Sequence, residues 1–279
     1  MSDRTRARLA LSFLIPLIVC GCLSGTPAAP VSAAADHDRS APPPTTAASS
    51  APAAAAPDAG HCVSASSMDL TRLLPPPPAA QSAQERSELD EMLRLQAERT
   101  PSAAERARQD AELSIFRFGD ALGNPAGFTP AKLPLTVMLF RDVARDEAAV
   151  MNVAKDRFER PRPFRVEHRL APVVPMPSSA SYPSGHSTWA YASALVLADM
   201  LPERRAQILA RADEYAHNRI LGGVHYPSDV QAGRLAGTAL AAMLFACAPF
   251  TAEESAARRE LRAALGLQMP VNGGDTPLR

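Results

Sequence analysis

The chain has 279 residues, and its 29 Lys and Arg residues balance 29 Asp and Glu residues, so the formal net charge is zero. Nucleic-acid binding requires a basic surface, which a neutral chain of this kind does not offer. We therefore expect no nucleic-acid partner. Of the 27 prolines, 12 lie in the first third of the chain.

The N-terminus has the pattern of an export signal. Three arginines, Arg4, Arg6 and Arg8, precede an apolar stretch from Leu9 to Val19. Such a stretch is too short for a membrane span and is typical of a secretory signal. We predict a signal peptide over residues 1–23 and a periplasmic or otherwise exported protein.

Two forms of cleavage fit this leader. Residues 19–22 (Val-Cys-Gly-Cys) resemble a bacterial lipoprotein signal, which would make Cys22 the lipidated residue and give the protein a membrane anchor. The alternative is ordinary cleavage near residues 31–33 and a soluble periplasmic protein. Residues 24–60 are almost wholly Ala, Pro, Ser and Thr, a composition that predicts a disordered tether and favours anchoring.

The remainder predicts one helical domain over residues 61–270, followed by a C-terminal tail over 271–279. Strand signals are scarce, whereas helix-start patterns of the form Ser/Thr-x-x-Glu/Gln recur. These patterns begin at Ser82, Ser102, Ser228 and Thr251. We predict an all-α, single-domain helical bundle. Its helices are expected near residues 82–98, 102–121, 132–156, 187–200, 202–220, 228–248 and 252–265.

Two cysteines, Cys62 and Cys247, lie within the predicted domain. In an exported protein such a pair is suited to form a disulfide, and two separate buried thiols are the alternative. The longest apolar stretch after the leader, residues 235–250, is shorter than a membrane span requires. A soluble exported domain is therefore expected.

Residues 182–187 (Tyr-Pro-Ser-Gly-His-Ser) precede an apolar, Ala-rich run that predicts a helix. Pro183 fixes φ, and Gly185 allows the backbone to approach a ligand closely. The N–H groups and the dipole of a helix N-terminus favour an anion, and His186 adds a proton donor there. An ordinary helix-capping turn is the alternative interpretation.

Arg219 lies on the same face of the predicted helix 202–220 as Ile208 and Ala212, so that face is expected to pack inward. A buried guanidinium requires an anionic partner. A phosphate is suited to this role because Arg offers paired donors to its oxygens. The alternative partner is an acidic side chain of the same domain.

Lys155 ends a predicted helix, and Arg162 follows between two prolines that restrain its direction. Taken without context, these residues are typical of a solvated basic loop, because three further arginines are close by in the sequence. The three are Arg157, Arg160 and Arg165.

His225 lies in a short loop after two glycines, and Asp229 lies in the first turn of the next predicted helix, where a carboxylate is favoured. A hydrogen bond from one ring nitrogen to Asp229 would leave the other nitrogen as a nucleophile. A lone histidine near a helix start is more often a cap or a surface residue.

Together these motifs resemble the signature of the PAP2 superfamily, and in particular its bacterial class A non-specific acid phosphatases. Vanadium haloperoxidases belong to the same superfamily. The family usually has Ser before the last arginine of the signature, whereas this chain has Asn218. We expect this difference to change the fine tuning of the site but not the reaction. The matching residues are Lys155, Arg162, Pro163, Pro183, Ser184, Gly185, His186, Arg219, His225 and Asp229.

The resemblance implies that His225 attacks phosphorus to form a phosphohistidine, that His186 protonates the leaving alcohol, and that Asp229 orients His225. It implies no metal and no cofactor, since cationic side chains supply the positive charge that phosphoryl transfer needs. The implied phosphate ligands are Lys155, Arg162, Ser184, Gly185 and Arg219. We therefore expect a metal-independent acid phosphatase for small phosphomonoesters, and a homodimer is compatible with the family.

Two other functions fit the same residues. A vanadium-dependent haloperoxidase would hold vanadate in the same cationic cradle. A non-catalytic phosphate-binding lipoprotein would need the cations, but simple binding does not need both His186 and His225. The natural substrate and the oligomeric state are open at this stage.

Overall fold

A computed structural model describes residues 60–269. The predicted leader, Cys22 and nearly all of the predicted tether lie outside the described residues, as does the C-terminal tail. The described part is built from helices and contains no strand, so the predicted all-α fold is confirmed. The boundaries predicted for the signal peptide, the tether and the domain stay predictions.

The α-helices of the described residues are α1 (Leu70–Leu73), α2 (Ala83–Glu98), α3 (Pro101–Gln109), α4 (Pro134–Phe158), α5 (Pro163–Val166), α6 (Gly185–Met200), α7 (Arg205–Leu221), α8 (Pro227–Phe245) and α9 (Ala248–Ala264). Shorter 3₁₀ helices span Ile115–Leu122, Pro130–Lys132 and Pro202–Arg204.

Helix α6 lies in the centre of the fold, and most of its side chains are buried against α4, α7 and α8. Two glycines of α8 allow its backbone to approach α6 closely. A Cβ atom at Gly233 would lie 2.6 Å from the carbonyl oxygen of Ser184, and one at Gly237 would lie 2.3 Å from that of Thr188. This close approach brings the start of α8 beside the start of α6, where the sequence predicts the anion site.

The helix predicted near residues 102–121 begins one residue earlier than expected, and its predicted C-terminal end is wrong. Helix α3 begins earlier, with Thr100 as N-cap and Pro101 in the first turn, because the Thr100 hydroxyl accepts the N–H of Ala103 and proline suits that position. It ends at Gln109, and a separate 3₁₀ helix follows from Ile115. The chain turns at Asp110, whose side chain is buried.

The helix starts predicted at Ser228 and Thr251 are also displaced. Helix α8 is capped by Tyr226, whose N–H donates to the Asp229 carboxylate at 2.9 Å. Helix α9 begins a turn before Thr251, whose hydroxyl donates instead to a carbonyl oxygen within the helix. At α2 the expected pattern is found, since Ser82 accepts the N–H of Glu85 at 3.1 Å.

Cys62 and Cys247 are joined by a disulfide, with their Cα atoms 6.1 Å apart. The bond ties the first described segment to the start of α9. The same segment is held on α4 by Asp146, whose buried carboxylate accepts the N–H groups of Cys62 at 3.0 Å and Val63 at 3.2 Å. The segment before α1 is therefore part of the packed domain.

No single helix in residues 60–269 is both long and apolar enough to cross a membrane. Helices α8 and α9 reach the required length and composition only as a pair, and they are bent by 93° relative to each other.

Candidate active site

The turn before α6 lies directly against the loop that carries His225. Ser184 is the N-cap of α6, and its hydroxyl oxygen accepts from the hydroxyl of Ser187 at 3.0 Å. The N–H of Ser184 donates to the backbone carbonyl of Asp229 at 3.0 Å. This bond links the predicted anion turn to the His225–Asp229 segment.

His225 is 2% exposed and is held by Asp229, which is fully buried. Its Nδ1 lies 3.2 Å from Oδ2 of Asp229. A carboxylate oxygen only accepts, so Nδ1 carries the hydrogen and Nε2 presents a lone pair. Nε2 accepts a hydrogen bond from Nη1 of Arg162 at 2.8 Å. Burial, followed by the neighbouring cations, holds the pKa of His225 well below its usual range.

Arg160 completes the support of Asp229, although a run of arginines taken without context is typical of a solvated loop. Its guanidinium is buried, donating to Oδ1 of Asp229 at 2.6 Å and to Glu88 at 3.0 Å. It also lies over the ring of Tyr226, 3.7 Å from the ring centre. One sequence signal was available: residues 160 and 162 alternate with prolines, and side chains two apart in an extended segment lie on one side.

Asp229 has a further buried partner that the sequence did not indicate. The hydroxyl of Ser181 donates to Oδ2 of Asp229 at 2.5 Å. With Arg160, His225 and Ser181 all donating to it, the carboxylate is held as an acceptor and cannot rotate away from the imidazole.

The two predicted cations before the turn also shape the loop. Nζ of Lys155, in the last turn of α4, donates at 2.8 Å to the carbonyl oxygens of both Ala180 and Pro183. Arg162 donates from Nε to the carbonyl oxygen of Ser179 at 2.9 Å. Burial, with Arg162 adding to it, lowers the pKa of Lys155 to about 8.

Arg219 is 2% exposed on the inward face of α7, as the sequence predicts. No acidic side chain among the described residues forms an ion pair with it, so the alternative of a structural salt bridge finds no partner there. Its Nε and Nη1 atoms are buried without a hydrogen-bond partner in the described chain. Burial lowers its pKa to about 10. A buried guanidinium with two unused donors is suited to an anion.

His186 lies in the first turn of α6, where Nε2 is 3.0 Å from the carbonyl oxygen of Ala111. A carbonyl cannot donate, so Nε2 carries the hydrogen and Nδ1 is left for a second proton. Burial first, and then Arg219, lowers the pKa of His186 to about 3. This shift opposes the role of proton donor that is predicted for His186, and a nearby anion would reverse the shift.

The predicted site residues are thus brought together around one point. The charges of Arg162, Lys155, Arg219 and His186 all act on His225. Within residues 60–269, no group of three or more His, Cys, Asp or Glu side chains is arranged to hold a metal ion. The chemical role of each residue stays a prediction.

Glu147 is a further buried group beside the turn that the sequence did not single out. It lies two turns before Lys155 on α4, and a Cβ atom at Gly185 would lie 2.9 Å from its Oε1. That oxygen is buried without a hydrogen-bond partner among the described residues. Burial raises the pKa of Glu147 to about 8, although Lys155 acts in the opposite direction. Glu147 is one of many charged residues on α4, so its sequence position gave no signal.

Comparison with known proteins agrees with the site. Residues 134–252, which run from the start of α4 into α9, match the PAP2 superfamily. This segment contains every residue of the signature that resembles the superfamily, from Lys155 to Asp229. The predicted class of enzyme, a phosphatase, is supported by relatives that are named acid phosphatases.

Two such relatives show the extent of the similarity. An acid phosphatase of Zymomonas mobilis is 33% identical over 57% of this chain and 62% of its own length. A non-specific acid phosphatase of Providencia stuartii is 28% identical over 73% of this chain and 85% of its own length. A solved structure of a bacterial vanadium-dependent iodoperoxidase aligns with a TM-score of 0.49 and 20% identity, over 66% of this chain and 54% of that one.

Proposed function

We propose that this protein is an exported acid phosphatase that hydrolyses small phosphomonoesters through a phosphohistidine at His225, without a metal ion. The observation that carries the proposal is the arrangement of His225. Asp229 accepts a hydrogen bond from the Nδ1–H group of His225, which leaves the lone pair on Nε2, beside Arg162. A buried imidazole held in this tautomer is what in-line attack on phosphorus needs.

The charge around His225 supports a dianionic substrate. Arg219 offers two buried donor atoms that no described residue uses, and the charges of Arg162 and Lys155 also act on the histidine. Phosphoryl transfer spreads negative charge over three oxygens, and fixed cations stabilise that charge without a metal. The turn at Ser184 and Gly185 adds the N-terminus of α6 to the same cradle.

The first chemical step forms the covalent intermediate. The Nε2 lone pair of His225 attacks phosphorus, and the bond from phosphorus to the ester oxygen breaks. That oxygen leaves with both bonding electrons and takes a proton from His186. Because Nε2 of His186 donates to Ala111, the transferred proton comes from Nδ1.

The second step reverses these roles. A water oxygen attacks phosphorus, its proton passes to Nδ1 of His186, and the bond from phosphorus to His225 breaks. Phosphate is released, and both histidines return to their starting protonation states. His186 therefore acts as acid in the first step and as base in the second.

Export is supported by two features of the chain. The basic and apolar pattern of residues 1–23 is that of a leader, and the disulfide of Cys62 and Cys247 belongs to an oxidising compartment. Lipidation at Cys22 and a homodimer remain part of the proposal. Cell fractionation of a Cys22→Ala variant tests the anchor: a shift from membrane to soluble periplasm supports it, and an unchanged distribution contradicts it.

One assay tests the activity itself. Purified protein is incubated with a chromogenic phosphomonoester in chelator-treated buffer, and separately with vanadate, halide and peroxide. The proposal predicts phosphate release that EDTA does not reduce and that His225→Ala abolishes. His217→Ala, a change at an exposed histidine of α7, is the matched control. Loss of activity in EDTA with recovery on adding a divalent cation contradicts metal independence, and halide oxidation without phosphate release favours the haloperoxidase.

A further inference from the structure

Asp110 is a buried acid that the proposed chemistry does not use. It caps the C-terminus of α3, and its carboxylate accepts hydrogen bonds from two residues of α7. Nη2 of Arg211 donates to Oδ1 at 2.6 Å, and Nδ2 of Asn218 donates to Oδ2 at 2.8 Å. Arg117 adds a third bond at 3.2 Å. The end of α3 is therefore fixed to α7 at two points two turns apart.

The two residues after Asp110 point their carbonyl oxygens at the active site. The carbonyl of Ala111 accepts from Nε2 of His186 at 3.0 Å, and that of Glu112 accepts from the hydroxyl of Tyr215. The rings of Tyr215 and His186 lie nearly parallel, with an angle of 24° and centres 6.4 Å apart. The turn that Asp110 anchors therefore holds His186 directly and also holds Tyr215, whose ring lies beside that of His186.

Every charged neighbour that acts strongly on His186 opposes its protonation. These neighbours are Arg219 on α7, Arg162 at the start of α5 and Lys155 on α4. The bond to Ala111 acts in the other direction, because it favours the ring that carries a hydrogen on Nε2. The position of this one carbonyl therefore affects both the orientation of His186 and its ability to hold a second proton.

We propose that Asn218 and Asp110 are positioning residues for His186, acting through the carbonyl of Ala111. Their hydrogen bond fixes the turn so that the imidazole keeps its Nε2 hydrogen on Ala111 and directs Nδ1 to the leaving group. Asn218 stands where the superfamily usually has serine, and its amide nitrogen reaches Asp110. The kinetic part of the proposal rests on the proposed acid role of His186.

The sharpest variant is Asn218→Leu, which keeps the approximate size of the side chain and removes the donor. A displaced His186 weakens general acid catalysis, which is typically worth about 10²–10⁴-fold and matters most for poor leaving groups. We expect kcat for an alkyl phosphate to fall by about tenfold or more, while kcat for nitrophenyl phosphate falls less than about threefold. Equal losses on both substrates overturn the positioning role, since a merely structural defect does not select a leaving group.

A reversed pair provides the rescue. In the double variant Asp110→Asn with Asn218→Asp, the amide at position 110 donates to a carboxylate at position 218, so the same bond runs in the opposite direction. Asn218→Asp alone places two carboxylates together and should lose the alkyl phosphate activity. We expect kcat of the double variant for the alkyl phosphate to be at least about tenfold higher than that of Asn218→Asp. No recovery in a folded double variant contradicts the proposal.

A measurement without substrate separates this proposal from the proposed function. The ¹⁵N shifts of the His186 ring report which nitrogen carries the hydrogen. The wild-type protein should show hydrogen on Nε2, and Asn218→Leu should show a mixture of tautomers. An unchanged His186 tautomer overturns the positioning role whether or not the protein is a phosphatase. Conversely, a tautomer shift in a protein with no phosphatase activity supports the positioning role and contradicts the proposed function.

Asn152→Leu is the matched control, because it makes the same change on the exposed face of α4. It should leave the substrate ratio and the His186 tautomer unchanged. Asn218→Ala is the milder second variant for the case that Asn218→Leu does not fold. It also lacks the donor to Asp110, and a wild-type substrate ratio in Asn218→Ala, with a wild-type tautomer, overturns the proposal.

Discussion

Nη1 of Arg162 donates a hydrogen bond of 2.8 Å to Nε2 of His225, the nitrogen that Asp229 leaves with a lone pair. A lone pair engaged in this way is a weaker nucleophile. In the proposed mechanism, attack on phosphorus therefore requires Arg162 to transfer its donor to a phosphoryl oxygen. This guanidinium would then couple substrate binding to activation of His225, because an anion that draws Arg162 away also exposes the proposed nucleophile.

Arg219→Lys should be damaging although the positive charge is kept. Arg219 has two buried donor atoms without partners in the described chain, and lysine cannot present paired donors at the same place. Loss of one charge-assisted hydrogen bond, about 1.5–3 kcal/mol, corresponds to a fall in kcat/KM of about 10- to 100-fold. Steady-state kinetics on a phosphomonoester measures the effect.

Arg234→Lys is the control for this change, since Arg234 is an exposed arginine on α8. It should keep kcat/KM within about twofold of the wild-type value, because surface ion pairs contribute little. A wild-type kcat/KM in Arg219→Lys would show that Arg219 is only a structural cation.

Anion binding should be accompanied by proton uptake at His186. Burial, with Arg219 next, lowers the pKa of His186 to about 3. A dianion in the cradle offsets those cations and raises the pKa of His186. At pH values between the pKa of the free protein and that of the complex, a proton is therefore bound together with the anion. Sulfate is a suitable probe because it remains a dianion in mild acid. Calorimetry at about pH 5 in buffers of different ionisation enthalpy measures the protons taken up per sulfate bound.

The comparison protein is His186→Gln, which keeps a hydrogen-bond donor but does not titrate. It should bind sulfate with less proton uptake than the wild type. The same uptake in both proteins would assign the proton to another group and contradict the acid role of His186.

Glu147 gives the folded protein a pH-dependent stability. Burial raises its pKa from 4.5 to about 8, with Lys155 opposing the shift. The pKa of Glu147 is higher in the folded protein than in the unfolded chain. Its contribution to the free energy of unfolding is therefore fully present below pH 4.5 and is lost as the pH rises through about 8. Between about pH 5 and pH 8 the wild type should lose stability relative to Glu147→Gln, by on the order of 1 kcal/mol per pH unit. Urea unfolding of both proteins at the two pH values measures this difference.

The opposite shift of His186 contributes to both proteins and cancels in that comparison. Glu98→Gln, at an exposed glutamate near the end of α2, controls for the general effect of removing a carboxylate. Its free energy of unfolding should follow the wild-type pH dependence. Parallel curves for the wild type and Glu147→Gln would mean that Glu147 titrates as it does in the unfolded chain.

The sequence predicts best those parts of the site whose residues lie close together along the chain. The turn at Ser184 and Gly185 and the pair of His225 and Asp229 each lie within a few residues, and the structure has them as neighbours. The predicted helices α4, α6 and α8 are found within a few residues of their expected bounds for a similar reason, since apolar periodicity is a local signal. The resemblance to the superfamily was needed to join Lys155 and Arg162 to the rest.

What the sequence missed depends on partners far away in the chain. Arg160 is buried because Asp229, 69 residues later, and Glu88, 72 residues earlier, accept from it. Asp110 ends α3 early because Asn218, 108 residues later, binds it. The run of arginines alone is typical of a solvated loop, and a helix-start pattern alone predicts that the helix of α3 continues past Asp110. The alternation of residues 160 and 162 with prolines was the local signal for the burial of Arg160, whereas no local signal indicates that Asn218 is the partner of Asp110.

The two histidines should respond differently to the leaving group. His225→Ala should abolish turnover of every substrate, since no covalent intermediate can form. His186→Ala should cripple hydrolysis of an alkyl phosphate, by about 10²–10⁴-fold, and spare much more of the activity on nitrophenyl phosphate, whose phenolate needs less protonation. The measurement is kcat for both variants on both substrates. Equal losses in His186→Ala would remove the acid assignment.

The covalent intermediate itself is the most direct test of the account. In His186→Ala the second step lacks its base, so a phosphorylated enzyme should accumulate on nitrophenyl phosphate. The reaction is quenched in alkali, in which phosphohistidine survives, and the peptides are analysed by mass spectrometry. We predict a phosphoryl group on the peptide that contains His225, lost on acid treatment and missing from the His186→Ala, His225→Ala double variant. Phosphate release by His186→Ala without any phosphoryl group on His225, or with one on another residue, would contradict the central claim.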